Sequence, residues 1–384
     1  MKNLLLIGDA ACSSGFGRAT AGILDHLHKH HNVSVLGVNY HGDPHKYPYP
    51  IYPAHMPGGD PLGLNRLGTL LPRIQPDGII LQTNPWHVPH YAKAFHRHGF
   101  GNIPIVGIIA VEGKNCVGTQ LNFLKRAIFW NEFSAQQAVN GGMKAPYGIV
   151  PLGVDLGVFS PGDREEARLK IGLPDVPPGS FIVGNVNRNQ FRKRIDLSVM
   201  YFAEWIKSRG IRDAYLYLHL LPGSSVQIDV GQLAYYCGAN ERVILAEPRD
   251  ILYGAPEEYV VASYRAFDVQ MTTTLGEGWG LTTMEGMACG IPQIGGDYAA
   301  LGEWAKDAAY LVPCPIEGVM PDVNTMIGGI PDKTEMLWAL DALYESKDRR
   351  ADYTTRGLAC VTQPQYRWER VAERFAEEIE LGFE

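Results

Sequence analysis

The chain lacks long hydrophobic runs. No apolar stretch in its 384 residues approaches the roughly 18 residues that a membrane-spanning helix needs. The longest one, residues 103–111, is interrupted by Pro104 and Gly107. Only four apolar residues in a row precede Asp9, which is too short for a signal-peptide core and better predicts a β-strand. We therefore expect a cytoplasmic protein without a transmembrane segment.

The chain is also poor in cysteine and in metal-binding patterns. Its six cysteines form no Cys-x-x-Cys pair and lie in no cluster with histidine at metal-ligand spacing, so we expect reduced thiols. No Asp-x-Asp motif is present. The histidine-rich residues 25–31 resemble a metal tract, but they close a predicted helix, where cations suit the helix dipole. The sequence predicts no bound metal.

What the chain does have is an alternation of strand and helix patterns. Hydrophobic residues make up 46% and charged residues 20%, which indicates a folded globular chain. A strand over residues 4–8 leads into a glycine turn and a helix, and after a Pro-Gly break the series restarts with a strand over residues 180–186. This repetition predicts an α/β protein with two doubly wound, Rossmann-like domains, residues 1–160 and 161–363.

The last stretch of the chain has its own pattern. Trp368, Val371, Phe375 and Ile379 recur at helical spacing, which predicts an amphipathic helix. We expect this helix, within residues 364–384, to pack back on the first domain.

The strongest site signal is a segment rich in glycine and glutamate, residues 274–292. It follows a predicted strand and leads into a helix, so its backbone amides and the helix N-terminus suit a phosphate group. Glu277 lies in the loop and Glu285 in the helix. Ionised carboxylates only accept hydrogen bonds, which suits sugar hydroxyls better than phosphate. An ordinary helix cap with an acidic first turn is the alternative.

A second signal is the basic segment over residues 188–194. It holds four cations in seven residues directly after a predicted strand, at the carboxyl edge of the second sheet. Paired arginine and lysine donors suit a diphosphate. A solvated run of charge is the alternative.

Weaker signals lie in the first half of the chain. The Gly-Phe-Gly segment at residues 15–17 follows the first strand, but Thr20 stands where a dinucleotide-binding motif needs its third glycine. A Rossmann dinucleotide site is therefore disfavoured, and a plain tight turn is an equal alternative. Asn84 and His87 follow another predicted strand and are candidates for the acceptor side of a site.

Together these patterns resemble the retaining family 4 of the GT-B glycosyltransferases, the group 1 transferases. The family's Glu-x7-Glu motif corresponds to Glu277 and Glu285, with Trp279 in place of the usual Phe and Gly286 in place of the usual Ala. The interdomain signature Pro-x-Gly-Val-Asp-x3-Phe-x-Pro is matched by residues 151–161. The resemblance runs from the first strand to the last helix. It implies two Rossmann-like domains that face each other across a cleft, with a nucleotide sugar as co-substrate and no required cofactor.

The resemblance also implies roles for individual residues. Glu285 would accept hydrogen bonds from the donor ribose, Glu277 would hold the donor sugar, and Arg188 and Lys193 would neutralise the leaving diphosphate. The catalytic set would be Arg188, Lys193 and Glu277 together with Glu112. The implied donor-binding set is Gly15, Phe16, Gly17, Asn187, Arg188, Lys193, Pro248, Arg249, Glu277, Gly278, Trp279, Gly280, Leu281, Thr282 and Glu285.

One position departs from the family pattern. Where many relatives have histidine after valine, this chain reads Val111-Glu112-Gly113. Glu112 would then orient the acceptor hydroxyl or stabilise positive charge on the sugar. The alternative is that it is only a loop residue.

The predicted function is transfer of a hexose-like sugar from a UDP- or GDP-sugar to an acceptor hydroxyl, with retention of configuration. A GT-B nucleotide-sugar epimerase and a non-catalytic sugar-nucleotide-binding module are the alternatives. Residues 1–160 hold 12 Lys and Arg against 8 Asp and Glu, which favours an anionic acceptor. The basic segment is similar to versions in phage and large-virus transferases. Candidate acceptors are therefore hydroxymethylated phage DNA, protein, and a glycan or lipid.

Overall fold

A computed structural model of the chain describes residues 1–12, 14–55, 59–173, 176–221, 228–246 and 255–384. The internal contacts divide the chain into two units. The first unit comprises residues 1–111, 115–153 and 364–384, and the second comprises residues 112–114 and 154–363. The boundary therefore falls a few residues before the predicted position 160. Glu112–Lys114 makes its contacts with the second unit.

The first unit is built on a parallel sheet. Its strands are β1 (Asn3–Asp9), β2 (Asn32–Val38), β3 (Ile51–Pro53), β4 (Gly78–Thr83), β5 (Ile105–Ile109), β6 (Arg126–Phe129) and β7 (Tyr147–Ile149). In the described ranges they form one seven-stranded sheet in the order β3-β2-β1-β4-β5-β6-β7. Leu4 to Ile7 of β1 are fully buried, as continuous apolar strands are when helices cover both faces of a parallel sheet.

The helices of the first unit connect these strands. They are α1 (Gly15–Leu27), α2 (Leu67–Ile74), α3 (Val88–Arg97) and α4 (Glu132–Asn140). The chain ends in a further helix, Trp368–Phe383, which buries Val371, Phe375 and Ile379 within this unit. On this helix Arg374 donates a hydrogen bond to the carbonyl oxygen of Ile149 at 2.7 Å. The amphipathic pattern at the end of the chain thus marks the face that packs on the first sheet.

The second unit repeats the alternation. Its parallel strands are β8 (Phe181–Arg188), β9 (Ala214–Leu221), β10 (Val243–Leu245), β11 (Val269–Met271), β12 (Gln293–Gly296) and β13 (Tyr310–Val312). Within the described part of the chain they form a six-stranded sheet in the order β10-β9-β8-β11-β12-β13. Two antiparallel strands, β14 (Ile316–Met320) and β15 (Met326–Ile330), form a separate hairpin.

The helices of the second unit lie before, between and after these strands along the chain. They are α5 (Arg164–Lys170), α6 (Ile195–Arg209), α7 (Val230–Tyr236), α8 (Glu257–Arg265), α9 (Leu281–Ala288), α10 (Ala299–Trp304), α11 (Lys333–Glu345) and α12 (Lys347–Val361). The terminal helix of the first unit, Trp368–Phe383, is α13. Trp205 of α6 is fully buried in a core that includes Met336 and Leu340 of α11. None of the helices in the described ranges is both long and apolar enough to cross a membrane.

The order of the strands in the second sheet indicates where the candidate site lies. In the second sheet the order reverses between β8 and β11, which are neighbours although α6, β9, α7, β10 and α8 lie between them along the chain. In doubly wound sheets, ligands bind outside the carboxyl ends of the strands at such a switch point. The loops that follow β8 and β11 are the basic segment and the glycine- and glutamate-rich segment of the sequence. The fold therefore brings the two strongest sequence signals to one edge of one sheet.

Candidate active site

The end of β8 is held by a chain of buried side chains. Asn187 donates from Nδ2 to Oδ1 of Asn185 at 2.7 Å, and Asn185 donates from Nδ2 to Oγ of Ser198 on α6 at 3.0 Å. The Ser198 hydroxyl lies 2.6 Å from the hydroxyl of Thr273, just after β11. These contacts tie the two loops of the switch point to the start of α6. Asn187 is thus a buried support of the loop, directly next to the basic segment.

The basic segment does not form one uniform surface. Residues Phe191–Lys193 make a short 3-10 turn, and Arg194 follows in the left-handed backbone region at a φ of 46°. Arg194 pairs with Asp196 at 2.9 Å, whereas Lys193 is only 8% exposed. The segment is therefore not a solvated run of charge, because the turn buries Lys193 and places Arg194 against Asp196.

Glu277 is the centre of a buried charge cluster. Its Oε1 lies 2.5 Å from Nζ of Lys193, and its Oε2 lies 3.2 Å from Nη1 of Arg192. The same Arg192 nitrogen donates to the carbonyl oxygen of Gly276 at 2.6 Å. Since all three charged side chains are almost fully removed from water, their mutual pairing is what makes the burial tolerable.

The cluster changes the proton affinities of its members. Burial by itself would raise the pKa of Glu277, but Lys193 and Arg192 outweigh that effect and lower the pKa to about 2. Burial is also the largest influence on Lys193 and lowers its pKa to about 8, against the opposing attraction of Glu277. Glu277 therefore remains ionised at every physiological pH, whereas Lys193 is within reach of titration.

The arginine in contact with Glu277 was not among the predicted site residues. The sequence pattern indicates Arg188, which is the half-buried last residue of β8, and does not single out Arg192. The backbone nitrogen of Arg192 also donates to Oδ2 of Asp322 at 3.3 Å, a residue that no sequence signal singled out. Arg192 belongs to the basic segment, but only the geometry of the 3-10 turn shows that it, and not Arg194, contacts Glu277.

The glycine loop leads directly into α9. Gly280 precedes the helix at a φ of 92°, a backbone conformation that favours glycine. The amides of Leu281 and Thr282 then belong to the first turn of α9, where N–H groups lack carbonyl partners within the helix. Trp279 is buried and stacks on Trp304, with ring centroids 5.3 Å apart. Its side chain therefore packs within the protein, and its backbone carbonyl oxygen accepts a hydrogen bond from Nε1 of Trp304 at 2.7 Å.

Glu285 lies within α9 and is 2% exposed. Its Oε2 accepts a hydrogen bond from the hydroxyl of Tyr264 at 2.7 Å. The neighbouring Gly286 also has a structural reason, because a Cβ at that position would lie 2.5 Å from Nε2 of Gln293 and 2.8 Å from Oε1 of Gln270. Two buried amide side chains thus occupy the space that an alanine side chain would need.

Glu112 joins the same cluster through its contacts with the second unit. It is 6% exposed, and its backbone carbonyl lies so close to Gly276 that a Cβ there would collide with the carbonyl oxygen. Its charge acts on both cations. Burial alone would lower the pKa of Arg192, but the negative charges of Glu277 and Glu112 outweigh burial and raise it. Glu112 also opposes the lowering of the Lys193 pKa by burial, so its charge interacts with both Arg192 and Lys193.

The Gly-Phe-Gly segment begins a helix and does not form an open loop. Gly15 is the first residue of α1, and the N–H of Gly17 donates to Oγ of the capping residue Ser14 at 2.9 Å. Ser14 in turn donates to Asp9 at the end of β1, at 2.6 Å. Phe16 lies against Trp130, with ring centroids 5.5 Å apart. The amide of Gly17 is therefore engaged in capping.

The remaining predicted site residues are Asn84 and His87 in the first unit and Pro248 and Arg249 in the second half of the chain. Asn84 directly follows β4 and precedes the short 3-10 turn Pro85–His87, so it lies at the carboxyl edge of the first sheet, at the switch point between β1 and β4. Burial, followed by the charge of His90, lowers the pKa of His87. Pro248 and Arg249, predicted to lie near the nucleobase, are outside the described residues.

Part of the chain is similar in sequence to known glycosyltransferases. The chain is 34% identical over 168 residues to a D-inositol 3-phosphate glycosyltransferase of Nocardia farcinica, which covers 42% of this chain and 34% of that protein. It is 32% identical over 147 residues to the enzyme of the same name from Segniliparus rotundus, covering 38% of this chain and 30% of that protein. The matched segment thus spans about a third of the length of these relatives. No protein-family model matches the chain.

Solved structures resemble the chain over nearly its whole length. Sucrose-phosphate synthase from Thermosynechococcus elongatus matches with a TM-score of 0.74 and 16% identity over 98% of both chains. Anabaena HepE, solved in complex with UDP and glucose, matches with a TM-score of 0.72 and 14% identity over 99% of this chain and 100% of that one. The fold is therefore the α/β fold of the GT-B glycosyltransferases, with two parallel-sheet, Rossmann-like domains, and this prediction is confirmed.

Proposed function

We propose that this protein is a retaining, metal-independent glycosyltransferase of family 4, which moves a sugar from a nucleotide sugar to an acceptor hydroxyl. The observation that carries the proposal is the buried cluster of Lys193, Arg192 and Glu277 at the switch point of the second sheet. The names of the partial relatives support the same activity, since both are glycosyltransferases.

The cluster has the chemistry that departure of a diphosphate requires. When the bond between the anomeric carbon and the diphosphate oxygen breaks, the electron pair stays on the phosphate and the sugar gains positive charge. Preorganised cations stabilise the developing negative charge in a site shielded from water. In the proposed reaction Lys193 and Arg192 do this, Arg188 adds a third cation from the end of β8, and the α9 amides contribute their dipoles. The departing phosphate oxygen takes the proton of the acceptor hydroxyl, whose oxygen forms the new bond.

The carboxylates have complementary roles in this proposal. Glu277 holds hydroxyls of the donor sugar and keeps Lys193 and Arg192 in place. Glu285, inside α9, accepts hydrogen bonds from the ribose of the nucleotide. Acceptors bind to the first unit, with Asn84 and His87 as candidate contacts. We favour a UDP-sugar as donor, because two similar structures hold UDP or UDP-2-fluoro glucose, and an anionic acceptor such as a polyol phosphate or modified DNA.

The donor site can be tested by a thermal-shift panel with UDP, GDP and ADP. A ligand at about 100 times its Kd stabilises the folded protein by ~2.7 kcal/mol, so we expect a clear rise in Tm with UDP. Glu285→Ala should remove most of this shift, because the ribose loses its acceptor. Glu303→Ala, on the second unit but not in the cluster, serves as a control and should keep the shift. A panel in which no nucleotide raises the Tm of the wild-type protein would refute the proposal.

Nucleotide binding should also depend on pH in a specific direction. The lowered pKa of Lys193, about 8, means that the lysine begins to lose its proton just above neutral pH. A bound diphosphate favours the protonated form, so affinity should be constant below about pH 7 and weaken above pH 8, by at most about tenfold per pH unit. Titration calorimetry with UDP between pH 7 and 9.5 measures this. Lys193→Arg stays protonated throughout, and its affinity should be flat; an equally flat wild-type profile would contradict the assignment.

A further inference from the structure

The hairpin β14–β15 contacts the backbone of both loops that carry the charge cluster. The N–H of Gly329 donates to the carbonyl oxygen of Leu275, two residues before Glu277, at 2.8 Å. Asp322, between the two strands, accepts from the backbone of Arg192. The antiparallel pairing of β14 with β15 extends over five residue pairs, so these two contacts are made by one regular element. A hairpin outside the main sheet therefore contacts the loop after β8 at Arg192 and the loop after β11 at Leu275.

The same hairpin pairs with the segment that carries Glu112. The N–H of Lys114 donates to the carbonyl oxygen of Ile327 at 2.9 Å, and the N–H of Ile327 donates back to Lys114 at 3.0 Å. This reciprocal pair is an antiparallel bridge on the outer side of β15. The side chain of Lys114 adds an ion pair with Glu317 of β14. Glu112, two residues earlier, is thus attached to the hairpin through the backbone.

Gly113 lets this pairing come close. A Cβ at position 113 would collide with the carbonyl oxygen of Ile327 and would lie 2.5 Å from Cε of Met320. Met320 is fully buried, and the Ile327 oxygen also accepts from the hydroxyl of Tyr298 at 2.8 Å, so neither neighbour can move away freely. On the other side, the Glu112 carbonyl is in close contact with Gly276. Residues 112 and 113 are therefore held between the backbones of Gly276 and Ile327, and only glycine fits at positions 113 and 276.

We propose that the hairpin β14–β15 is the positioning element for Glu112, with Gly113 as the residue that sets its distance from the Lys193–Arg192–Glu277 cluster. The inference rests on the proposed glycosyl transfer. In that reaction the carboxylate of Glu112 stabilises the positive charge that the anomeric carbon gains when the diphosphate leaves with the bonding electrons. Gly113 itself touches no substrate and acts through Glu112.

The test is Gly113→Ala, assayed by nucleotide release from the donor that the thermal-shift panel identifies. Displacing a catalytic group by about 1 Å can cost ~100-fold in rate, so we expect kcat to fall by about ten- to a hundredfold while the Kd for the free nucleotide stays within about twofold. Gly318→Ala is the matched control: it lies in the same hairpin, but its Cβ would meet only the end of Ile330, at 3.4 Å. This control should keep wild-type kcat.

A double-mutant cycle separates positioning from general damage to the fold. If Gly113 acts through Glu112, the variant carrying both Glu112→Gln and Gly113→Ala should be no slower than Glu112→Gln alone. Ile327→Pro, which removes the N–H that donates to Lys114, reaches the same contact from the hairpin and should give the same loss of kcat with unchanged nucleotide binding. Additive losses in the double variant, or wild-type kcat in Gly113→Ala, would overturn the inference. A wild-type protein without nucleotide binding or turnover would overturn the proposed function itself, and this inference with it.

Discussion

Replacing Lys193 by methionine is expected to reduce turnover of the nucleotide sugar by about 10²–10³-fold, the usual cost of removing one preorganised charge-stabilising group. Methionine has a similar length and keeps the packing, but it cannot neutralise the departing diphosphate. It also leaves the buried Glu277 with Arg192 as its remaining partner in the cluster, at 3.2 Å. The measurement is the steady-state rate of nucleotide release, together with the affinity for the free nucleotide.

Lys333→Met is the matched control for this substitution. Lys333 also pairs with a glutamate, Glu204, at 3.0 Å, but both side chains are about half exposed. Exposed pairs of this kind contribute roughly 0–1 kcal/mol to stability. Its turnover should match that of the wild type. A Lys193→Met protein that turns over within about threefold of the wild type would exclude Lys193 from the reaction.

The largest loss of stability is expected from Asp268→Ala. Asp268 directly precedes β11 and accepts three hydrogen bonds: from Arg168 at 2.9 Å, from Arg164 at 2.7 Å and from the N–H of Ile182 at 2.8 Å. Arg168 is 7% exposed, so removing the carboxylate leaves a buried guanidinium without its main counter-charge. Breaking a buried pair in this way costs about 3–5 kcal/mol in the free energy of unfolding.

Urea denaturation followed by tryptophan fluorescence measures this loss. Two domains can unfold in separate transitions, and the transition that shifts should be that of the second unit. Glu165→Ala is the control, because Glu165 also pairs with Arg168, at 3.3 Å, but is 65% exposed in its side chain; it should cost less than about 1 kcal/mol. If both substitutions cost the same, burial does not govern the Arg168 network.

Much of the architecture was open to prediction because its signals are local. The strand expected over residues 180–186 is β8, Phe181–Arg188, and the helix expected from Ile195 is α6. The hairpin β14–β15 was not predicted, since its strands have only five residues each, contain one glycine in β14 and two in β15, and β14 is largely exposed. Such strands lack the continuous apolar pattern that marks β1 or β8.

The candidate site was open to prediction only in part. The positions of Glu277 in a loop and Glu285 in a helix follow from the motif and its flanking strand and helix patterns, and the structure places them so. The choice of Arg188 as the partner of Lys193 missed Arg192, because composition cannot show which cation a 3-10 turn and a left-handed residue direct toward a carboxylate. The motif places Trp279 among the donor contacts, whereas in the structure its ring stacks on Trp304.

The sequence by itself determined the two strand-and-helix series, the loops that follow their strands, and the residue types offered at the switch point of the second sheet. These depend on periodicity, glycine and charge within a few neighbouring residues. Only the tertiary structure decided which of those residues meet: Lys193 with Glu277, Arg192 with Asp322, and Glu112–Lys114 with a hairpin some two hundred residues further along the chain. Electrostatic pairing and close backbone contact depend on distance in space, which neighbouring residues in the sequence do not encode.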